Sequence, residues 1–440
     1  MSNSLFSAFE KVSSKAWKQK IQVDLKGADY NDTLIWKTDE GIDVRPFYHQ
    51  DEITETAQIQ PQQWFIGQII FVQNETASNK KAIDAIEKGA ETIKFIIPNK
   101  DISVEKTIEN IDLESTNIQF DLHFLDQSYL DSLAKISANA ELQIIIDPIG
   151  QLASTGNWFK SADNKINVCK QITVNTVTYQ NAGANIVQQL AYGLAHLNEY
   201  CNTNGFEDVK TIHFNVAVGT NYFFEIAKLR AYRVLFNALA SEYNCEADLK
   251  IHAIPTKRNK TIYDYNTNML RTTTECMSAI LGGANTVFNL PYDAIYHKDN
   301  AFGERIARNQ LLVLKNESYF DAVNNASDGS YYIESITMQL AEKGLALFKD
   351  IEANGGFIAQ LNSGIIQKKI KESANKEQSL FDNGNITLLG TNKHPNKNDK
   401  MKHNLELFPF VKMNPRKTLI QPIIEKRLAE TTEQNRLKTE

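Results

Sequence analysis

The chain is short of the residues that mark several large functional classes. Four cysteines in 440 residues, Cys169, Cys201, Cys245 and Cys276, stand far apart with no C-x-x-C among them. That usage speaks against a disulfide framework or a thiolate zinc site, and a reducing cytoplasm is the expected setting. No run is long and apolar enough to span a bilayer. The opening residues, MSNSLFSAFEKVSSKAW, lack the unbroken apolar centre of a secretion signal. Positive charge is not in excess either: 47 Lys and Arg stand against 53 Asp and Glu, a formal charge of -6. Neither nucleic acid nor an anionic membrane is therefore expected as a partner. Also missing are H-x-H, H-E-x-x-H and the Gly-rich first turn of a dinucleotide fold.

What is present is a repeated strand-then-helix unit. Its clearest copy runs from Thr211 to Tyr243. Ile212, Phe214, Val216 and Val218 alternate with His213, Asn215 and Ala217, the period of two of a strand. After Gly219, Tyr222, Ile226, Leu229, Tyr232, Phe236, Leu239 and Tyr243 recur every three or four residues, and Asn221 is placed to cap the helix they imply. Seven further strand candidates, at 64–72, 92–98, 118–125, 142–148, 171–178, 249–255 and 285–291, are mostly followed by helical patterns. Eight successive units predict an α/β protein built as a (β/α)8 barrel, with an open doubly wound sheet as the alternative. Around a barrel over 61–330 the composition suggests an N-terminal arm (1–60), a helical extension (331–390) and a C-terminal linker and helix (391–440). The arm's Leu34, Trp36, Val44, Phe47 and Tyr48 need a surface to lie on, this chain's own or a partner's.

In such barrels the reactive groups sit at the C-terminal strand ends, which here offer Asp126, Asp147, Thr178, Asn289 and Thr256-Lys257-Arg258. The two aspartates suit an acid and base pair, but equally a helix cap and a turn. Gln68, His123, His213, Asn215 and His252 fall at alternate strand positions expected to face the axis. Three converging histidines would offer a metal site; hydrogen-bonded histidines filling the interior are the plainer expectation. Gly183 suits an anion cradle or simply a turn, and Lys257 to Lys260 a solvated loop or a phosphate site.

The long stretches VGTNYFFEIAKLRAYRVLFNAL and YNTNMLRTTTECMSAILGGANTV, with ERIARNQLLVLKNES, DGSYYIESITMQLAEKG and NGNITLLGTNK after them, resemble the adenosylcobalamin-dependent acyl-CoA mutases, specifically the methylmalonyl-CoA mutases. The resemblance covers roughly residues 17 to 425. It implies a barrel threaded by the pantetheine of CoA, and a separate cobalamin domain in catalytic subunits. Where that family carries a Tyr-His pair at the end of strand five, this chain has Val177 and Thr178, ahead of Tyr179-Gln180-Asn181-Ala182-Gly183-Ala184. The substrate-facing Arg and Ser of strand six are matched by Thr211 and His213. His252 matches the strand-seven histidine and is the one vestigial substrate-binding candidate. The D-x-H-x-x-G motif of cobalamin's lower ligand does not occur, and no cobalamin domain is expected in the chain. The family includes a non-catalytic small subunit, which the N-terminal pattern of Trp17, Ile21 and Asp24 to Tyr30 resembles in particular. The resemblance implies a heterodimer with a large subunit that binds adenosylcobalamin, no catalytic residue and no metal on this chain.

Overall fold

A computed structural model describes residues 7–53, 56–57, 59, 63–137, 142–160, 171–204, 209–412 and 416–440. The expected strands form one eight-stranded sheet: β1 (Phe65–Phe71), β2 (Thr92–Ile97), β3 (Asn117–Leu122), β4 (Leu142–Ile145), β5 (Gln171–Asn175), β6 (Thr211–Val218), β7 (Asp248–Pro255) and β8 (Thr286–Phe288). All pairings in it are parallel, in the order β4-β3-β2-β1-β8-β7-β6-β5. Because β1 pairs with β8, the sheet curls into a (β/α)8 barrel rather than the open doubly wound alternative.

The ring has one seam, between β4 and β5, where side chains replace the ladder. Gln171 accepts from Ile144 N at 3.0 Å and donates to Leu142 O at 3.2 Å. Asp147 Oδ2 accepts from Asn175 N at 2.8 Å. Strand five ends at Asn175, short of the expected 178, because the Asn175 side chain accepts from Val177 N and starts a helical turn, Val177–Asn181.

Among the helices over the barrel are α1 (Ile186–Asn204), α2 (Tyr222–Glu242) and α3 (Thr267–Leu281). A second layer consists of α4 (Tyr331–Ala353), which packs on α1 and α2, and α5 (Ile365–Asp382). Gly344 permits that close approach, since a Cβ there would lie 3.1 Å from Leu190 and 3.2 Å from Leu235. Gly355 and Gly356, both at positive φ, end α4 as their pairing suggests. Asn221 precedes α2, but its side chain makes no cap bond.

Buried beneath α4, α2 is apolar on its sheet side and yet carries charge that is also buried. Lys228 bonds to Glu225, to Gln180 and Gln189, and to Ala217 O at the end of β6. Arg230 pairs with Glu334 at the start of α4 and with Asp328. Arg233 donates to Leu249 O, Gly283 O and Asn285 Oδ1. The charged letters of this long motif therefore tie helices to strand ends.

The arm lies on its own chain. Trp36–Lys37 pairs antiparallel with Asp43–Val44, Ile42 is fully buried in the main core, the Trp36 ring is 5.8 Å from Phe224 and the Tyr48 ring 5.2 Å from Tyr332. Phe47 and Tyr48 are half-buried there, while Trp36 stays 52% exposed. Still exposed are Phe9, Val12 and Val23 around the helix Ser14–Asp24.

Candidate functional site at the barrel axis

Residues paired in a parallel register share a face of the sheet, and the inward face of this barrel is polar where branched apolar residues usually dominate. His213 Nδ1 is 3.0 Å from His252 Nε2, the rings nearly parallel with centroids 5.3 Å apart. Gln119 and Gln143 approach the two nitrogens of His252 at 3.3 Å each. Lys94 donates to Asn215 Oδ1 at 3.1 Å, and its ammonium lies 4.6 Å from the centre of the Phe288 ring. Phe288 occupies the space left by Gly67: a Cβ there would stand 2.3 Å from that ring.

Burial sets the charge states. It pushes the His213 imidazolium down to about 3, helped by Lys250 and Lys94. His252 is driven well below the usual imidazole range by burial, His213 and Lys94. Burial also lowers Lys94 to about 8, partly offset by Asp121, whose own carboxyl burial raises. Both histidines are neutral at pH 7 and are poor bases there, since an efficient general base has a pKa near the working pH.

His213, Asn215 and His252 therefore meet inside as expected. Two other members of the expected row do not. Gln68 points outward and accepts from Arg308 of the helix Ala301–Leu312 at 3.3 Å. The inward residue of β1 is Gly67, paired with Phe288 and Thr92. His123 lies half exposed past the end of β3, 4.0 Å from Asp121, so the three histidines do not converge. Among the described residues no group of three or more His, Cys, Asp or Glu is placed to hold a metal.

The strand-end candidates are structural in their contacts. Asp126 caps the helix Gln127–Ser137 through Ser128 Oγ and Tyr129 N, and these bonds with Lys100 bring its carboxyl down to about 2. Asp147 caps Pro148–Thr155, accepts from Tyr200 OH at 2.7 Å, and lies 2.9 Å from His196 Nε2. Burial opposes its charge, but His196, Tyr200 and Gly150 N hold the carboxyl below its ordinary value. Thr256 donates to Asn181 at 2.8 Å, and Asn289 to Ala307 O and Gln310. The run Lys257 to Lys260 is not a solvated loop throughout. Lys257 is exposed, whereas Arg258 is buried against Glu377 and Lys426 O, and Lys260 against Glu275. Gly183, at φ +102°, packs on α5: a Cβ there would meet Ala374 at 2.5 Å. Val177 and Thr178 are half-buried in the turn after β5, and Thr211 is half-buried at the start of β6.

Sequence reasoning missed Lys94, Gln119, Gln143, Phe288 and Gly67. For the first there was a signal: Lys94 is a charge between Ile93 and Phe95 in a strand covered on both faces.

The family model described as methylmalonyl-CoA mutase matches residues 129–437. The methylmalonyl-CoA mutase small subunit of Porphyromonas gingivalis is 33% identical over 89% of this chain and 71% of its own length. A methylmalonyl-CoA mutase of Cereibacter sphaeroides is 27% identical over 86% of this chain and 64% of its own. The small subunit of Streptomyces virginiae is 25% identical over 83% and 68%. The chain thus spans about two thirds of the length of these relatives, and it belongs to the methylmalonyl-CoA mutase family.

Proposed function

We propose that this chain is the small, non-catalytic subunit of a heterodimeric methylmalonyl-CoA mutase, stabilising a large subunit that carries adenosylcobalamin and interconverts methylmalonyl-CoA and succinyl-CoA. The observation that carries this reading is the filled axis. Phe288 over Gly67, the His213–His252 pair and Lys94 occupy the space along which a pantetheine arm would have to pass. Val177 and Thr178 supply neither a phenol nor an imidazole to a developing charge. His252, spent on Gln119, Gln143 and His213, is a relic of substrate contact. The residues at the ends of β5 and β7 do not fit the cofactor: they present hydroxyl, amide and cationic groups, with no imidazole there to meet a cobalt ion.

Co-expression with a cobalamin-binding large subunit from the same organism tests the reading. One-to-one co-purification, with turnover wherever the large subunit is present, is expected. Turnover by this chain alone, or saturable binding of methylmalonyl-CoA to it, would overturn it.

A further inference from the structure

The barrel axis leaves unexplained a groove of about 340 Å³ on the C-terminal rim, beside the ends of β5, β7 and β8. Its lining is mixed: Ile295, Phe408 and Phe410 stand with Lys257, Lys412 and Lys426, and over the whole lining five cations are set against two carboxylates, Glu425 and Glu430. That sign is opposite to the chain's formal charge of -6.

Two of the cations, Arg258 and Arg427, are buried and spent on internal partners: Glu377 and Lys426 O for the first, Pro409 O, Lys260 O and Glu433 for the second. The three lysines are exposed. Lys257 lies 3.9 Å from Glu425, at the limit of an ion pair, and among the described residues Lys412 and Lys426 have none. Phe408 is 60% exposed, although its ring stands edge-on to Phe410 with centroids 5.4 Å apart. Leu407, also in the lining, is exposed, as is Ile424, next in sequence to Glu425. A small anion would use the lysines and leave these apolar side chains wet; a polypeptide with carboxylates and an apolar anchor covers both.

We propose that the groove docks an acidic segment of the large subunit that carries an apolar or aromatic anchor, the anchor meeting Phe408 and the carboxylates meeting Lys257, Lys412 and Lys426. The assignment rests on the heterodimer reading above. Complementary charge speeds encounter and makes association salt-sensitive, and the central aromatic contact slows release.

The test uses the full chain co-expressed with the large subunit, and follows affinity at low and high salt. Three variants are compared with wild type: Phe408→Ala, the triple Lys257→Glu, Lys412→Glu, Lys426→Glu, and a milder triple to Gln. All four side chains are exposed, so unchanged thermal unfolding is expected. Phe408→Ala should weaken the complex by about tenfold. Both triples should weaken it at low salt by at least as much and flatten its salt dependence. A wild-type complex as tight and as salt-sensitive with the triples in place overturns the groove and leaves the heterodimer standing. Failure of the wild-type pair to associate overturns both. Self-association of this chain through Phe408, without the large subunit, also refutes the assignment.

Discussion

Gly67 and Phe288 show how much of this barrel rests on single side chains. Phe288 can lie across the axis only because Gly67 carries no Cβ. Gly67→Ala is expected to destabilise the fold, since the ring must leave its place for the added methyl. Phe288→Ala leaves a hole beside Lys94 and should cost about 3–5 kcal/mol, read from denaturant unfolding. The histidines add a pH dependence. His213 is held at about 3 in the fold against about 6.5 in an unfolded chain, so its neutral burial stabilises fully above pH 6.5. That contribution falls away as pH drops towards 3, because the unfolded chain takes up the proton first. Each such histidine contributes a slope of up to about 1.4 kcal/mol per pH unit in that window. Replacing His213 by Gln should flatten the acid limb of a stability profile, and an unchanged limb would refute the assignment of that limb to His213. His213, Asn215 and His252 could be placed from strand alternation. Gln68 could not, because WFIGQIIFV is apolar on both faces and alternation alone does not say which face is inside.

At the scale of elements, buried charge does the joining. Arg230 of α2 meets Glu334 of α4 with both side chains almost fully buried. Arg230→Ala strands that carboxylate in the interior and should cost roughly 3–5 kcal/mol. A double change, Arg230→Met with Glu334→Leu, should recover only part of it, because Glu334 also accepts from Ala57 N and Gly329 N. Asp147 joins more pieces still: a helix cap, the Asn175 amide across the seam, His196 and Tyr200. Asp147→Ala is therefore expected to exceed the roughly 1 kcal/mol of a lone cap, and faster hydrogen exchange at Asn175 would locate the damage at the seam. The element types were plain from periodicity, since strands of period two and helices of period 3.6 write themselves locally. The seam was not, because it depends on where β4 and β5 come to lie once six other strands have paired.

For the whole molecule, the stretch of the arm on and just before the N-terminal helix carries its most exposed apolar residues. Val23 is 72% exposed, whereas Trp17 of the same helix stacks on Phe47 of the arm with centroids 4.4 Å apart. Deleting residues 1–25 should leave thermal unfolding nearly unchanged and reduce co-purification with the large subunit; a large fall in melting temperature would mean that the helix is a structural part of this chain instead. The number and order of the βα units, the helical extension and the family resemblance all lay within short stretches, where hydrophobic period, turn residues and motif letters carry the information. Closure of the ring, the inward face of β1, the landing of the arm on α2 and α4, and the filling of the axis by Phe288 and the histidine pair were decided only by assembly. Each depends on the relative placement of residues far apart in the chain, such as Gly67 and Phe288 or Trp36 and Phe224, and local pattern holds no record of such distances.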